Sequence, residues 1–409
     1  MTDQQAAPIA SGERITDLDV LRGFALFGVL LANIVGIVVW GYVTTEAQLE
    51  ASPIRSFDRL IHLAVRIFVD DKANTLFAFL FGLGFYVQMT RLGERGAGFS
   101  GLYARRLVIL MVIGLIHITF IWFWDILHLY AFLGFGLLLV RKASDRMILF
   151  GGIILAVFGR LGFSMIAELS GLYDNGAYDA LWSDAAVLER QALSAAGDYR
   201  ALVQDFWHVN QVDYFKGPII GLAFYTFGRF LLGMWVGRKQ WLHRADDFLP
   251  GFRNVLLIAL PLGLGLEVLN QFGADIGLSG ESVAGSFFGE FLHMVATPLI
   301  AAGYVSGLVL ALRTGWGARL FGVLAPVGRM ALTNYVMQSF IIGFTLFGIG
   351  PGLDLMSQAT ATSAMAIAVA GFTFQIIFSH FWLKAFHFGP LEWVWRALTY
   401  GTLPTMRRT

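Results

Sequence analysis

The order of apolar and polar positions along the chain predicts a bundle of membrane-spanning helices. Apolar runs recur at 17–40, 73–89, 107–124, 126–140, 147–167, 218–237, 255–272, 286–312, 324–348 and 363–383. A helix crosses hydrocarbon with roughly 20 such residues. Between the runs the pattern changes character. Residues 1–16 are polar and predict a disordered tail, and 41–56 reads as a loop. At 57–70 the apolar positions are interrupted by Arg59, His62, Arg66 and Asp70, the pattern of an interfacial or half-buried helix. The stretch 169–216 reads as a long extracytoplasmic loop with a helical pattern of its own, and 385–409, rich in aromatic and charged residues, as a cytoplasmic interfacial tail. The expected fold is therefore all-α: a polytopic transmembrane bundle over 17–384 with about ten spans. A β-barrel would show short alternating strands instead, and no internal repeat stands out.

Composition strengthens the membrane reading. The chain is 57% hydrophobic and only 14% charged, with a mean hydropathy of +0.67. A soluble domain carries about 25% charged residues. A net charge of +1 argues against a nucleic-acid partner. The absence of cysteine excludes disulfides, thiolate nucleophiles and cysteine-held metal centres. Arg22 opens the first apolar run and no small-residue cleavage site closes it, so the run reads as a retained helix.

Loop charges set the expected orientation. Arg91, Arg95, Arg105 and Arg106 follow the second run. Arg141, Lys142 and Arg146 follow the fourth, Arg238, Lys239, Arg244 and Arg253 the sixth, Arg313 and Arg319 the eighth, and Arg407 and Arg408 lie in the tail. The loop 169–216 is acidic instead, with Asp174, Asp179, Asp184, Glu189, Asp198, Asp205 and Asp213 against Arg190, Arg200 and Lys216. The positive-inside rule then puts both termini in the cytoplasm, provided 57–70 does not cross.

Candidate chemistry begins at Phe123-Trp-Asp-Ile-Leu-His-Leu-Tyr130, where Asp125 and His128 share a helical face. Counting back along the same helix, His117 falls on nearly that face, ~12 Å away. Ionisable groups at a membrane boundary are costly and mark function by default. His117 or His128 would serve as a base and Asp125 as its orienter; a polar plug, or Asp125 as a helix cap, is the plainer alternative. On the first helix, Asp19, Arg22 and Asn33 follow heptad-like spacing, and Arg22 suits a phosphate. Gly328-Arg-Met-Ala-Leu-Thr-Asn-Tyr335 and Gln338 set Arg329 near an entrance and Asn334 and Gln338 on one face. In the tail, Glu392 and Arg396 form an i, i+4 pair between tryptophans, either a surface anchor or a lid. Glu290 and His293 make a single E-x-x-H, where a di-iron bundle needs two, so no metal is expected. No phosphate loop or dinucleotide fingerprint occurs.

Several segments together resemble the YeiB-like bacterial membrane proteins, a domain of unknown function. They are Leu18 to Asn33, Leu76 to Gly84, His117 to Ala131, Gly328 to Gln338 and Phe388 to Gly401, in that order over almost the whole chain. The opening acid–arginine–glycine motif is similar to that of wider transmembrane acyltransferases, including the heparan-glucosamine acetyltransferase type and sugar O-acyltransferases. That resemblance implies acyl-coenzyme A as co-substrate, met on the cytosolic side by Arg22, Arg329 and Arg396. It also implies a histidine activating an acceptor on the far side. The chain departs from the glucosamine acetyltransferase pattern at the histidine, since His62, the nearest by position, lies among residues that do not match. The expected partners are membrane lipids and a small-molecule, glycan or lipid acceptor, with a homodimer compatible. Asn33, Asn334, Gln338 and Glu392 complete the expected donor-side set. The rival reading is a transporter of a small metabolite or lipid without covalent chemistry, and a third is a haem protein using His117, His128 or His293.

Overall fold

The structure is a computed structural model. It describes residues 16–39, 41–94, 99–171, 175–216, 219–273, 277 and 283–408. The expected tail up to residue 15, together with Trp40, Arg95, Asp174 and Pro218, lies outside the described residues.

Helices account for nearly all of the described chain, as its apolar runs require. The most central is α1 (Thr16–Val39), followed by the short α2 (Glu46–Glu50), which Thr45 and Gln48 close with a capping box. Next come α3 (Arg55–Phe68) and α4 (Lys72–Glu94), separated only by a turn in which Asp71 adopts φ 57°. Together these two make one helical stretch long enough to cross a membrane, amphipathic in α3 and apolar in α4. The chain continues through α5 (Phe99–Phe120), α6 (Leu127–Val140) and α7 (Asp145–Ser170). The acidic loop folds as three helices, α8 (Asn175–Ala180), α9 (Asp184–Ala195) and α10 (Tyr199–Lys216). Then follow α11 (Ile219–Arg238), α12 (Leu249–Phe272), α13 (Val283–Ala311) and the short α14 (Gly315–Gly322). The last are α15 (Ala325–Arg329), α16 (Ala331–Thr345), α17 (Ala361–Ala385) and α18 (Pro390–Tyr400).

Among the described residues, 8 helical stretches are long and apolar enough to cross a membrane. Their outer faces carry the apolar belt that lipid demands, such as Val112, Ile116, Ile258, Leu262, Phe374 and Phe381. Two expected spans differ in form. With 14 residues, α6 is only ~21 Å long. The run 324–348 is not one helix but two, α15 and α16, broken at Met330 (φ −110°, ψ 38°). The break survives because its freed amides have a partner: Glu392 of α18 accepts from the backbone N–H groups of Leu332 (2.6 Å) and Thr333 (3.1 Å) and from the Thr333 hydroxyl (2.5 Å). Hydropathy does not register a break that a side chain 60 residues away repairs.

Small residues set the closest helix contacts. A Cβ on Gly82 of α4 would lie 1.9 Å from the Phe230 carbonyl oxygen of α11, and one on Gly233 would lie 1.9 Å from that of Phe79. The two backbones therefore touch, as the glycines near residue 82 lead one to expect. The basic residues gather at one end of the bundle, where Arg238 and Lys239 pair with Asp145 and Arg313 reaches Asp17 and Asp246. At the other end α8–α10 form a cap. Arg190 holds Asp205 at 2.8 Å and lies over the Tyr42 ring, while Tyr42 donates to the same carboxylate.

Candidate functional site

The centre of the site is a carboxylate between two imidazoles. Helix α5 ends at Phe120 rather than at 124, and the chain turns through 121–126 before α6 begins. This turn corrects the expected ~12 Å axial separation, which assumed one unbroken helix. His117 Nδ1 and Asp125 Oδ1 are instead 2.8 Å apart. On the other side Asp125 Oδ2 lies 2.7 Å from His128 Nδ1 and accepts the His128 backbone N–H at 3.0 Å. Asp125 is thus both an orienter and a cap. The Tyr335 hydroxyl donates to Oδ1 at 3.4 Å and accepts from the Ile126 amide at 3.2 Å. Gly114 makes room for the pair, since a Cβ there would meet the His128 amide at 2.3 Å.

Burial opposes charge on Asp125, but the hydrogen bonds from His117 and His128 hold its carboxyl below the usual range. Facing an ionised carboxylate at Nδ1, a neutral ring of either histidine donates there and presents Nε2 as an acceptor. His117 Nε2 lies 2.9 Å from Ser339 Oγ, a hydroxyl sealed inside the bundle. His128 Nε2 instead meets the hydroxyl of Tyr214, which lines a cavity. Every ring nitrogen of His117, His128 and His293 has a protein partner, so none presents a bare nitrogen to haem iron.

Two cavities approach this centre from opposite ends. One, about 710 Å³, lies beneath the α8–α10 cap; Asp125 and Tyr335 are in its wall, with Asn33, Trp124, Asp213 and Tyr214. Burial pushes the Asp213 carboxyl up to about 6. The other, about 250 Å³, opens at the basic end and is lined by Arg22, Arg91, Arg106, Arg329 and Arg396. Its mouth adds about 120 Å³ among Arg22, Arg91, Arg329 and Arg396. Arg106 lies 3.7 Å over the Trp395 ring, and Trp395 donates to the Arg106 carbonyl at 2.9 Å, fixing α18 as a wall. Arg22 is tied to Asp19 at 3.1 Å. Glu392, spent on capping α16, has its carboxyl raised by desolvation against the pull of those hydrogen bonds. Tyr335 lines both cavities.

The structure therefore gathers Arg22, Arg329, Glu392 and Arg396 around one cavity, and His117, Asp125 and His128 around the partition. It does not gather the amides with them. Asn33 faces the other, carboxylate-lined cavity. Asn334 binds the Val327 carbonyl (3.1 Å) and Ser379 (2.9 Å), and Gln338 binds the Leu26 carbonyl (3.0 Å) and Gln375 (3.2 Å), so both tie helices together. They are fully buried between helices because α16 turns that face toward α1 and α17.

A second polar centre was legible in the sequence only through Glu290 and His293, without its other members. In the wall of the carboxylate-lined cavity, His293 joins Glu267 (2.9 Å) to Asp71 (3.1 Å). Lys72 reaches Glu267 at 3.2 Å, Arg160 joins Asp71 to Glu290, and Tyr225 donates to Asp71 at 3.1 Å. The available signal was the isolated charge in an apolar run, as at Arg160 and Glu267. Arg91 and Arg106 were legible only as loop charges, and Tyr214 only as part of the acidic loop. Glu267→Ala leaves the buried Lys72 and His293 without their shared carboxylate. The expected cost is ~3–5 kcal/mol, read as a fall of about 5 °C in the unfolding midpoint of detergent-solubilised protein. An unchanged midpoint would show that the network holds nothing together.

Comparison with known proteins gives relatives over nearly the full length. The family model described as "Protein of unknown function (DUF418)" matches residues 236–402. "Uncharacterized protein YxaH" of Bacillus subtilis (strain 168) is 30% identical over 412 residues, 96% of each chain. The "Uncharacterized 39.9 kDa protein in amylase 3'region" of Bacillus acidopullulyticus is 31% identical over 396 residues, again 96% of each. "Uncharacterized protein YeiB" of Escherichia coli (strain K12) is 28% identical over 397 residues, 95% of this chain and 96% of that one. No solved structure shows significant similarity to the chain.

Proposed function

The chain belongs to the YeiB-like family that carries the DUF418 region, and from that premise we propose that it is a bacterial inner-membrane acyltransferase. It takes an acyl group from cytosolic acyl-coenzyme A and gives it to an acceptor on the other side. The observation that carries this reading is Tyr335, which lines an arginine-rich cavity on one side and the cavity containing Asp125 and Tyr214 on the other. The basic end is taken as cytosolic by the positive-inside rule, which puts both termini there.

The arginine-lined cavity has room for the thin pantetheine arm and not for the nucleotide. The phosphates would sit at the mouth among Arg22, Arg91, Arg329 and Arg396. The acceptor, a small molecule, glycan or lipid headgroup, enters under the α8–α10 cap. His128 acts as the base through Tyr214, with Asp125 orienting it. His117 is the weaker candidate because Ser339 occupies its far nitrogen inside the bundle. The acceptor oxygen or nitrogen attacks the thioester carbonyl carbon, the C–S bond breaks, and the sulfur leaves on the cytosolic side. Asn33 is placed to serve as a polar donor from the acceptor cavity.

Calorimetric titration of the purified protein with acetyl-, octanoyl- and palmitoyl-coenzyme A tests the reading directly. Micromolar binding of one of them is the expected result; no heat from any of the three would sink it. Two opposed cavities with a thin partition also suit a transporter. Uptake of a solute into proteoliposomes without covalent change would favour that alternative.

A further inference from the structure

A hydrogen-bonded file of side chains runs between the two cavities. At one end Tyr214 of α10 lines the carboxylate-lined cavity beside Asp213. Its hydroxyl meets His128 Nε2. His128 Nδ1 meets Asp125 Oδ2 at 2.7 Å, and Asp125 Oδ1 accepts from the Tyr335 hydroxyl at 3.4 Å. Tyr335 then borders the arginine-lined cavity. Phenol, imidazole and carboxyl each take up and release a proton, so every link can pass one on. His117 and Ser339 form a closed side branch on Asp125. Leu110, Leu127 and Leu332 line the arginine-lined cavity together with Tyr335.

We propose that Tyr214, His128, Asp125 and Tyr335 form a proton path joining the two cavities across the membrane partition. The direction of flow rests on the acyl-transfer reading. There the acceptor gives up a proton on one side of the partition, while the departing thiolate needs one on the other. The acceptor O–H or N–H proton passes to Tyr214, whose own proton goes to His128 Nε2. The Nδ1 proton of His128 moves to Asp125, and a rotation of the carboxyl brings it to Tyr335. The hydroxyl proton of Tyr335 goes to the sulfur. Nothing is oxidised or reduced; the transfer leaves His128 as the Nε2–H tautomer, and exchange of that proton with solvent, releasing it from Nε2 and restoring one to Nδ1, resets the path for the next turnover. The membrane then keeps its charge balance without a proton crossing through bulk water.

The path is testable apart from the chemistry it would serve. The full-length protein is reconstituted into phosphatidylcholine–phosphatidylglycerol vesicles with trapped pyranine, and a potassium–valinomycin potential drives protons inward. Wild type should exceed empty vesicles. Tyr335→Phe and His128→Gln should each lower the flux at least about tenfold, the loss of one proton-transfer link. Tyr304→Phe, which removes a hydroxyl bound to the Phe68 carbonyl away from the path, should keep wild-type flux. The proposal is overturned if wild type matches empty vesicles, or if both path variants keep wild-type flux. If Tyr335→Phe does not fold, His128→Gln decides alone. Acyl-coenzyme A titrations on the same preparations separate the two claims. Binding without flux ends the path and leaves acyl transfer standing; flux without binding does the reverse.

Discussion

Asp125→Asn is expected to lower acyl-transfer turnover by about 10²–10⁴-fold, the worth of a positioned base, while leaving the Kd for acyl-coenzyme A within about twofold. The carboxylate of Asp125 accepts from His117, from the ring and backbone of His128, and from Tyr335. Four donors match the four acceptor sites of an ionised carboxylate. An amide offers one oxygen and turns its NH2 group toward one of the two rings, itself a donor. At least one ring must then change tautomer, and if it is His128, the lone pair that faced Tyr214 is lost. In an Asp–His–Ser triad the same exchange costs about 10⁴ in kcat by this mechanism. The arginine-lined cavity does not include Asp125, so donor binding should be spared. Turnover within threefold of wild type would remove Asp125 and His128 from the chemistry. A matching loss of donor affinity would instead mean that the exchange had disordered the bundle.

The second large effect is on donor affinity. Arg22→Ala combined with Arg329→Ala should weaken acyl-coenzyme A binding by about 100-fold or more, since each charge-assisted hydrogen bond contributes ~1.5–3 kcal/mol. Both residues line the cavity and its mouth. Arg22→Lys should recover only part of the loss, because an ammonium cannot bind a phosphate through two parallel N–H groups. Affinity should also fall as salt is raised, and less steeply in the double variant. Titration calorimetry across a salt series measures all three. A double variant with wild-type affinity would place the donor elsewhere or exclude it.

Much of this organisation was legible in the order of residues. Helices follow from the length and spacing of the apolar runs, because an unpaired backbone is too costly in hydrocarbon for the chain to do otherwise. Asp125 and His128 were legible for the same reason, as costly groups close together at a boundary. Their partners were not. Tyr335 stands 210 residues from Asp125 and Tyr214 86 from His128, and neither carries a charge that hydropathy would flag. His117 was legible as a neighbour, yet by the wrong geometry, because a helix end four residues early converts an axial separation into a contact. Asn334 and Gln338 were legible as two amides on one face, but not the partners of their N–H groups, which neighbouring segments supply while the side-chain oxygen of each stays buried without a partner.

By itself, the sequence determined the solvent, the helical class, the approximate spans and the arginines that gather at one end, all of which depend on local composition. Only the tertiary structure decided that α15 and α16 are separate helices, that Glu392 is a cap, and that His293 joins Asp71 to Glu267. It alone set one tyrosine between two cavities. The reason is physical: a polar group in a bundle is satisfied by whichever helix packs against it. That choice is made by packing between segments hundreds of residues apart, not by the order of residues within either one.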